Sequence, residues 1–162
     1  MELILQSFAN IVEFDNNFKE VIILSLYVSV LATLASSIVS IYLASYMAIR
    51  DFLGKKIITI IFNSLMSLPP VVVGLILYII FSSSGILGLM DLLYTPSIMI
   101  IAQFIIITPI IISLSLKSLN DRYSSLKDYL TSLNTSKNKI RSTIISESRY
   151  DLLIIIITGL SR

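Results

Sequence analysis

The sequence predicts an all-α integral membrane protein with three full transmembrane helices, a partial fourth, and a helix-turn-helix in its longest polar loop. Of its 162 residues, 56% are hydrophobic and only 14% are charged, whereas about 25% of the residues of a soluble domain are charged. The charged residues are concentrated in short segments that separate long apolar runs. Runs of about 20 apolar residues or more are typical of helices that cross a bilayer.

The residue types that are absent exclude several kinds of chemistry. The chain has no cysteine and no histidine, so disulfides, thiol nucleophiles, zinc sites built on either residue and imidazole acid–base catalysis are excluded. Every carboxylate side chain lies in a predicted loop or tail. The serines of the spans have no base beside them in the sequence, which disfavours a membrane enzyme. We expect no catalytic residue, no cofactor and no metal.

Residues 1–20 are predicted to form an interfacial amino-terminal segment. They contain four acidic residues and a single lysine, and they lack the basic start and the cleavage site of a signal peptide. One of residues 15–17 can cap the helix that follows. The apolar side chains that we expect along the membrane surface are those of Leu3, Ile4, Phe8, Ile11 and Val12.

The first span is predicted at residues 21–49, which carry no charge. At about 1.5 Å per residue this helix reaches about 43 Å, so it tilts in, or projects from, a hydrocarbon core of about 30 Å. Small residues recur at every fourth position, which lets a neighbouring helix approach closely. This small-residue ridge consists of Ala32, Ser36, Ser40, Ala44 and Ala48.

The second span is predicted at residues 57–81, and a pair of prolines interrupts it. Proline has no amide hydrogen, so Pro69 and Pro70 are expected to leave the carbonyls of Leu65 and Met66 without helical partners. A broken helix is tolerated within a membrane where it faces protein or water.

The third span is predicted at residues 96–116, after a flexible or re-entrant turn at residues 82–91. Thr95 is expected to cap it, because a proline follows in the first helical turn. Thr108 and Pro109 interrupt its hydrogen-bond ladder near mid-depth. Two interpretations stay open for that proline: a kink that only shapes the helix bundle, or a part of a solute pathway.

The longest polar segment, residues 117–151, is predicted to form a helix, a turn and a second helix. Ile140, Ile144 and Ile145 give the second helix an apolar stripe, which can pack against the chain's own bundle or in a partner's groove. Periodicity alone favours neither of these two ways of packing. The stripe of the first helix, with residues three and four apart, consists of Tyr123, Leu126, Tyr129, Leu130 and Leu133.

Lysine and arginine are distributed unevenly along the chain. Residues 50–56 contain three of them and residues 117–151 contain seven, whereas residues 1–20 and 82–96 together contain one. Because basic loops remain in the cytoplasm, we expect the amino terminus to lie outside and the three spans to alternate in direction.

The final apolar run, residues 152–162, is only half of a span, since its ten or so residues reach about 15 Å. If this half-span entered the bilayer, the charge at its end would lie near the centre, and a charge there costs about 2.5–3.5 kcal/mol. We therefore expect this last segment to stay at the cytoplasmic interface.

Three stretches resemble the permease subunit of tungstate-type ABC importers, whose nearer relatives are molybdate and sulfate permeases. They are NSLMSLPPVVVG at residues 63–74, GILG at residues 85–88 and LYTPSIMIIAQ at residues 93–103. The resemblance implies a multi-pass protein of a prokaryotic plasma membrane with an incomplete MetI-like permease fold, which has five spans when complete. The chain is accordingly expected to be a truncated or split copy that does not transport by itself. An inactive membrane fragment is the alternative.

The resemblance also implies partners. They are a second permease copy, two ATPase subunits that dock on the cytoplasmic loop, and an external binding protein that delivers an oxyanion, tungstate or molybdate. No nucleic-acid partner is expected. The family's coupling signature, Glu-Ala-Ala followed by three residues and Gly, falls on Asp128, Tyr129, Leu130 and Asn134. Asp128 retains the carboxylate, and Leu133 lies on the same predicted face.

The predicted translocation pathway follows the proline breaks, where freed backbone amides can face an anion. Its candidate residues are Ser67, Pro69, Pro70, Gly74, Thr108 and Pro109. The sequence has no phosphate-binding Gly-rich loop ending in Lys-Ser or Lys-Thr, so we expect another subunit to hydrolyse ATP. The predicted spans contain no ionisable residue except tyrosine, which disfavours an ion-coupled carrier. A permease for another small solute stays open.

Overall fold

A computed structural model describes residues 16–132 and 135–161, and within these ranges all regular elements are helical. The prediction of an all-α chain is confirmed. The predicted interfacial segment lies, up to residue 15, outside the described residues. The helices are α1 (Asn16–Ile49), α2 (Lys55–Leu65), α3 (Pro70–Phe81), α4 (Pro96–Ser132), α5 (Lys137–Glu147) and α6 (Arg149–Leu160), with a short 3-10 turn at Gly88–Met90.

Two of these helices are long and apolar enough to cross a membrane, over Phe18–Ile49 and Pro96–Leu130. The second of them passes the predicted end of the third span, Leu116, without a break, because α4 continues to Ser132. Residues 117–132 contain neither proline nor glycine, so nothing in the sequence ends the helix there. At about 1.5 Å per residue, α4 reaches about 55 Å. The first helix of the predicted polar loop is therefore the projecting end of α4.

The small-residue ridge of α1 is buried along its whole length, as predicted, and α4 lies against it. The hydroxyls of Ser36 and Thr108 are 3.1 Å apart, and the Ser40 hydroxyl donates to the Thr108 carbonyl at 3.2 Å. The Thr108 hydroxyl donates its own proton to the Phe104 carbonyl at 2.6 Å, so Ser36 is the donor in the first of these bonds. Small side chains bring the two backbones close enough for this direct hydrogen bonding.

Helices α1 and α4 run in the same direction. Near their starts, the Gln103 amide donates to the Ser29 hydroxyl at 3.2 Å, and the contacts to Thr108 follow further along both helices. Towards their ends, Ala44 and Ala48 share a hydrophobic cluster with Leu116 and Leu119. The chain between Ile49 and Pro96 therefore returns from the end of α1 to a level near its start.

The returning chain is a pair of short helices, α2 and α3, bent by 96° at residues 66–69. The break lies at the prolines, as predicted for the interrupted span at residues 57–81, and each helix reaches about 17 Å. At the break, backbone turns rather than side chains supply the hydrogen bonds. The Leu68 amide donates to the Leu65 carbonyl at 3.1 Å. The Leu65 carbonyl loses its helical partner at Pro69, as expected, and a tighter turn supplies its hydrogen bond instead.

Helix α3 runs antiparallel to the first half of α4. It begins at Pro70, which lines a cavity with Pro109, and its end leads through residues 82–95 to the start of α4. These connecting residues form tight turns, where the sequence predicted a flexible or re-entrant turn at residues 82–91. A Cβ atom at Gly85 would overlap the carbonyl oxygens of Ile79 and Ile80, so the close approach of the backbone requires glycine there.

The start of α4 also differs from the expected cap. The helix begins at Pro96 as predicted. The Thr95 hydroxyl, however, donates backwards to the Leu92 carbonyl at 2.6 Å. This bond stabilises the preceding turn, and proline fits the first helical turn because an amide hydrogen is not needed there.

Helix α6 packs antiparallel along α4. The Ser118 hydroxyl donates to Asp151 at 3.1 Å, and a Cβ added to Gly159 would lie 3.0 Å from Ile111 and 3.1 Å from Ile107. The last helix thus reaches the part of α4 that was predicted to lie at mid-membrane. The buried side of this segment, with Leu152, packs into the bundle core, and its place at the cytoplasmic interface stays a prediction.

Cross-linking tests the contact between α1 and α4, since the chain has no native cysteine. We expect the double variant Ser36→Cys/Thr108→Cys to form an intramolecular disulfide on mild oxidation, because hydroxyls 3.1 Å apart show that the two side chains meet, as a bridge requires. Mass spectrometry of proteolytic peptides measures the bridge. The control pair Ser36→Cys/Ser115→Cys is displaced by seven residues, about 10 Å along α4. Equal cross-linking of both pairs would contradict the register.

Candidate translocation and coupling sites

The two proline breaks meet at one cavity of about 260 Å³ between α2, α3 and α4. We call it the proline cavity. Three predicted pathway residues, Pro70, Thr108 and Pro109, line it together. The other lining residues are apolar: Phe62, Leu65, Met66, Leu68, Val73, Phe104, Ile105, Ile106 and Ile110. The cavity has the apolar walls and few polar atoms that are common in small-molecule sites.

Thr108 connects this cavity to α1. Pro109 supplies no amide hydrogen to the Ile105 carbonyl one turn earlier, yet α4 continues through it. The bonds from Ser36 and Ser40 to Thr108 hold the helix where its own ladder is incomplete. The proline therefore shapes the packing of the bundle and lines the cavity at the same time, so the two interpretations of Pro109 are compatible.

The other three predicted pathway residues, Ser67, Pro69 and Gly74, are exposed and do not line this cavity. Around Gly74, no atom of the described chain lies within 4 Å of an added Cβ. Pro69 lies at the bend, where its carbonyl accepts the Val72 amide at 3.0 Å. The geometry brings together only half of the predicted pathway set.

A second cavity, of about 330 Å³, adjoins the proline cavity through Met66, which lines both. Its polar walls include Asn63, Ser113, Lys117 and Asn120. We call it the donor cavity, because each of these side chains can donate a hydrogen bond. Sequence reasoning missed the three α4 residues, although their spacing of four and three is the signal for a common helix face.

The predicted coupling residues differ in their exposure. Asp128 is exposed and Tyr129 is 64% exposed, whereas Leu130 is only 5% exposed. Leu133 and Asn134 lie outside the described residues. The interpretation of Leu130 as part of a free docking face is wrong for this conformation, because its side chain is buried in the chain itself.

Helix α5, the second helix of the polar loop, packs on the chain's own bundle. Ile144 is buried in the main hydrophobic cluster, and Ile140 and Ile145 pack against that cluster. The Arg141 guanidinium lies over the Tyr42 ring, 4.7 Å from its centroid, which adds a cation–π contact to α1. The apolar stripe of α5 is thus occupied by the bundle rather than left for a partner.

Comparison with known proteins identifies the family. No family model matches the chain. Over 152 residues the chain is 36% identical to the tungstate uptake system permease protein TupB of Peptoclostridium acidaminophilum, a match that covers 94% of this chain and 67% of that protein. The chain belongs to the tungstate-type ABC permease family. A probable anion ABC transporter permease protein of Haloferax volcanii is 31% identical over 81 residues, which cover 50% of the permease and 35% of that protein.

Family membership explains the apolar helices. The permease is a membrane subunit of the oxyanion-importer type, and its relatives are transport proteins rather than enzymes. Among the described residues, no group of three or more acidic, cysteine or histidine side chains is arranged to hold a metal ion.

The contrast between Leu130 and Tyr129 predicts different effects on stability. We expect Leu130→Ala to lower the free energy of unfolding by about 2–5 kcal/mol, as is typical when a buried leucine is truncated. Tyr129→Ala is the neighbouring control, and its exposed side chain should contribute at most about 0.5 kcal/mol. Denaturant unfolding of the purified permease in detergent measures both. A Leu130→Ala protein as stable as the unaltered one would contradict the burial of Leu130.

Proposed function

We propose that the permease moves tungstate, or the closely similar molybdate, into the cell as part of an ATP-driven importer. The observation that carries the proposal is the 36% identity with a tungstate uptake permease over 94% of the chain. The importer needs an ATPase subunit and an external binding protein in addition to this permease. The proline cavity, with its broken helices, is the part of the chain best suited to a solute path, since irregular backbone within a membrane requires protein or water beside it.

We infer that the described part of the permease crosses the membrane three times before α5. The support comes from the parallel contacts of α1 and α4, because two parallel crossings require the chain between them to cross back. A re-entrant α2–α3 pair would return to the side it came from and could not supply that crossing. Helix α3 then makes most of the return, while α2 lies across the bundle after the 96° bend.

The orientation follows from charge. The end of α4, α5 and the start of α6 together carry seven lysine or arginine residues at positions 117–151, and this excess keeps that end in the cytoplasm. Since α1 and α4 are parallel, the start of α1 then lies outside, as does the turn at residues 82–95. The external binding protein approaches from the side of that turn.

The ATPase docks at the projecting end of α4. Asp128 and Tyr129 are exposed there, and they occupy coupling-signature positions together with Leu130 and Asn134. Leu130 is buried, so it stabilises this surface by packing beneath it. A second permease copy completes the transporter, and it covers part of the exposed apolar surface of α1 and α3 that does not face lipid.

Metal uptake tests the function. The protein carrying this chain, produced with the ATPase and the binding protein of a tungstate uptake system in cells that lack their own permease, should accumulate tungsten and exclude sulfate. Inductively coupled plasma mass spectrometry measures the uptake. We expect Tyr129→Asp to reduce it by tenfold or more, on the scale of an uncompensated charge at a desolvated contact. The control is Tyr150→Phe, at an exposed tyrosine, which should leave uptake unchanged. Tyr27→Asp is unsuitable as a control, because Tyr27 lies within a span.

Uptake of another solute without tungsten or molybdenum would contradict the proposed substrate. Uptake that persists without the ATPase would contradict the ATP-driven mechanism and favour an ion-coupled carrier instead.

Cysteine labelling tests the orientation. In a chain without native cysteine, we expect Ile86→Cys to react with a membrane-impermeant maleimide in intact cells and Ser136→Cys to react only after the cells are opened. Both side chains are exposed, so access to the reagent depends on the side of the membrane. The reverse labelling pattern would invert the proposed orientation.

A further inference from the structure

The donor cavity has a chemistry of its own, distinct from that of the apolar proline cavity. Asn63 enters it from α2, and Ser113, Lys117 and Asn120 enter it from one face of α4. Its volume of about 330 Å³ far exceeds the 10–15 Å³ or so that one water molecule requires. The cavity can therefore hold a small hydrated ion.

Ser113 is the buried polar group of this cavity. The residue is only 8% exposed, and its hydroxyl oxygen has no hydrogen-bond partner in the described chain. A buried hydroxyl without a partner lowers the stability of the fold, because its hydrogen bonds to water are lost and not replaced. Since it lines the donor cavity, a ligand or water in that cavity supplies the missing partner.

Lys117 gives the cavity a positive charge. Its ammonium group forms no hydrogen bond or ion pair within residues 16–132 and 135–161. Two carboxylates lie nearby: Asp121 lines the same cavity, and Asp151 lines the neighbouring one, where it accepts the Ser118 hydroxyl at 3.1 Å. Lys117 and Asp121 are both exposed, so water weakens the effect of either charge on an ion in the cavity.

We propose that the donor cavity binds a tetrahedral oxyanion at the cytoplasmic end of the path through the permease. Two amides, one hydroxyl and one ammonium group provide hydrogen-bond donors and one positive charge, which are groups that bind such an anion. Met66 lines both cavities, so an anion that leaves the proline cavity enters the donor cavity next. This inference rests on the proposed function and adds a release site to it.

Equilibrium dialysis tests the site directly. The full chain in lipid nanodiscs is dialysed against sodium tungstate at low ionic strength, and bound tungsten is measured by mass spectrometry. We expect saturable binding that molybdate displaces. Lys117→Gln should raise the Kd about tenfold or more, and Ser113→Ala should raise it roughly fivefold, in line with charged and neutral hydrogen bonds.

Each variant has a matched control. Ser115→Ala removes a second buried hydroxyl without a partner on the same helix, but Ser115 does not line the donor cavity. Lys139→Gln removes the same charge from an exposed position on α5. We expect both controls to bind tungstate as the unaltered chain does.

Three results would overturn the site: no saturable tungstate binding, equal losses in Ser113→Ala and Ser115→Ala, or displacement by chloride as effective as displacement by molybdate. The uptake assay distinguishes a failure of the release site from a failure of the proposed function. Tungsten uptake by an importer whose permease shows none of the expected binding changes would remove the release site and leave the function intact.

Discussion

The contact between the small-residue ridge of α1 and the Thr108 turn of α4 is the interaction on which the rest of the structure depends. Pro109 removes one rung of the α4 ladder in a region where lipid offers no replacement. Ser36 and Ser40 approach closely enough to hydrogen-bond Thr108, which is possible only because the residues between the two backbones are small. The ridge therefore allows a helix with a missing hydrogen bond to remain continuous, and it fixes α1 and α4 as parallel neighbours.

The parallel packing in turn constrains the chain between them. About 45 residues have to return from the end of α1 to the start of α4, and the proline pair divides this return into two helices at 96°. The bend brings Pro70 to the side of α4 that carries Pro109, which creates the proline cavity. A straight second span would pack against α4 over its whole length and leave less open space beside Pro109.

Periodicity and composition predicted what depends on local sequence. The apolar runs gave the helical class, and the four-residue spacing of Ala32 to Ala48 identified a buried ridge that the structure confirms. The polar loop was harder, because an apolar stripe has the same appearance whether it packs on its own bundle or on a partner. Leu130 and Ile144 are buried in the chain itself. The donor cavity was missed because Asn63 is far from Ser113 in sequence, and only the packing of α2 against α4 brings them together.

Helix α4 links the proposed path to the proposed ATPase contact through one continuous element. Pro109, Ser113 and Lys117 lie on it, and Asp128 follows on the same helix, about 28 Å beyond Pro109 at 1.5 Å per residue. Between Ile110 and Ser132 no proline or glycine interrupts it, so displacement of its projecting end is transmitted along the helix rather than absorbed within that stretch. Pro109 is the one position on α4 where the ladder lacks a bond, and helices bend at such positions. Movement at the proposed ATPase contact would therefore change the angle of α4 at the proline cavity, where the proposed path lies.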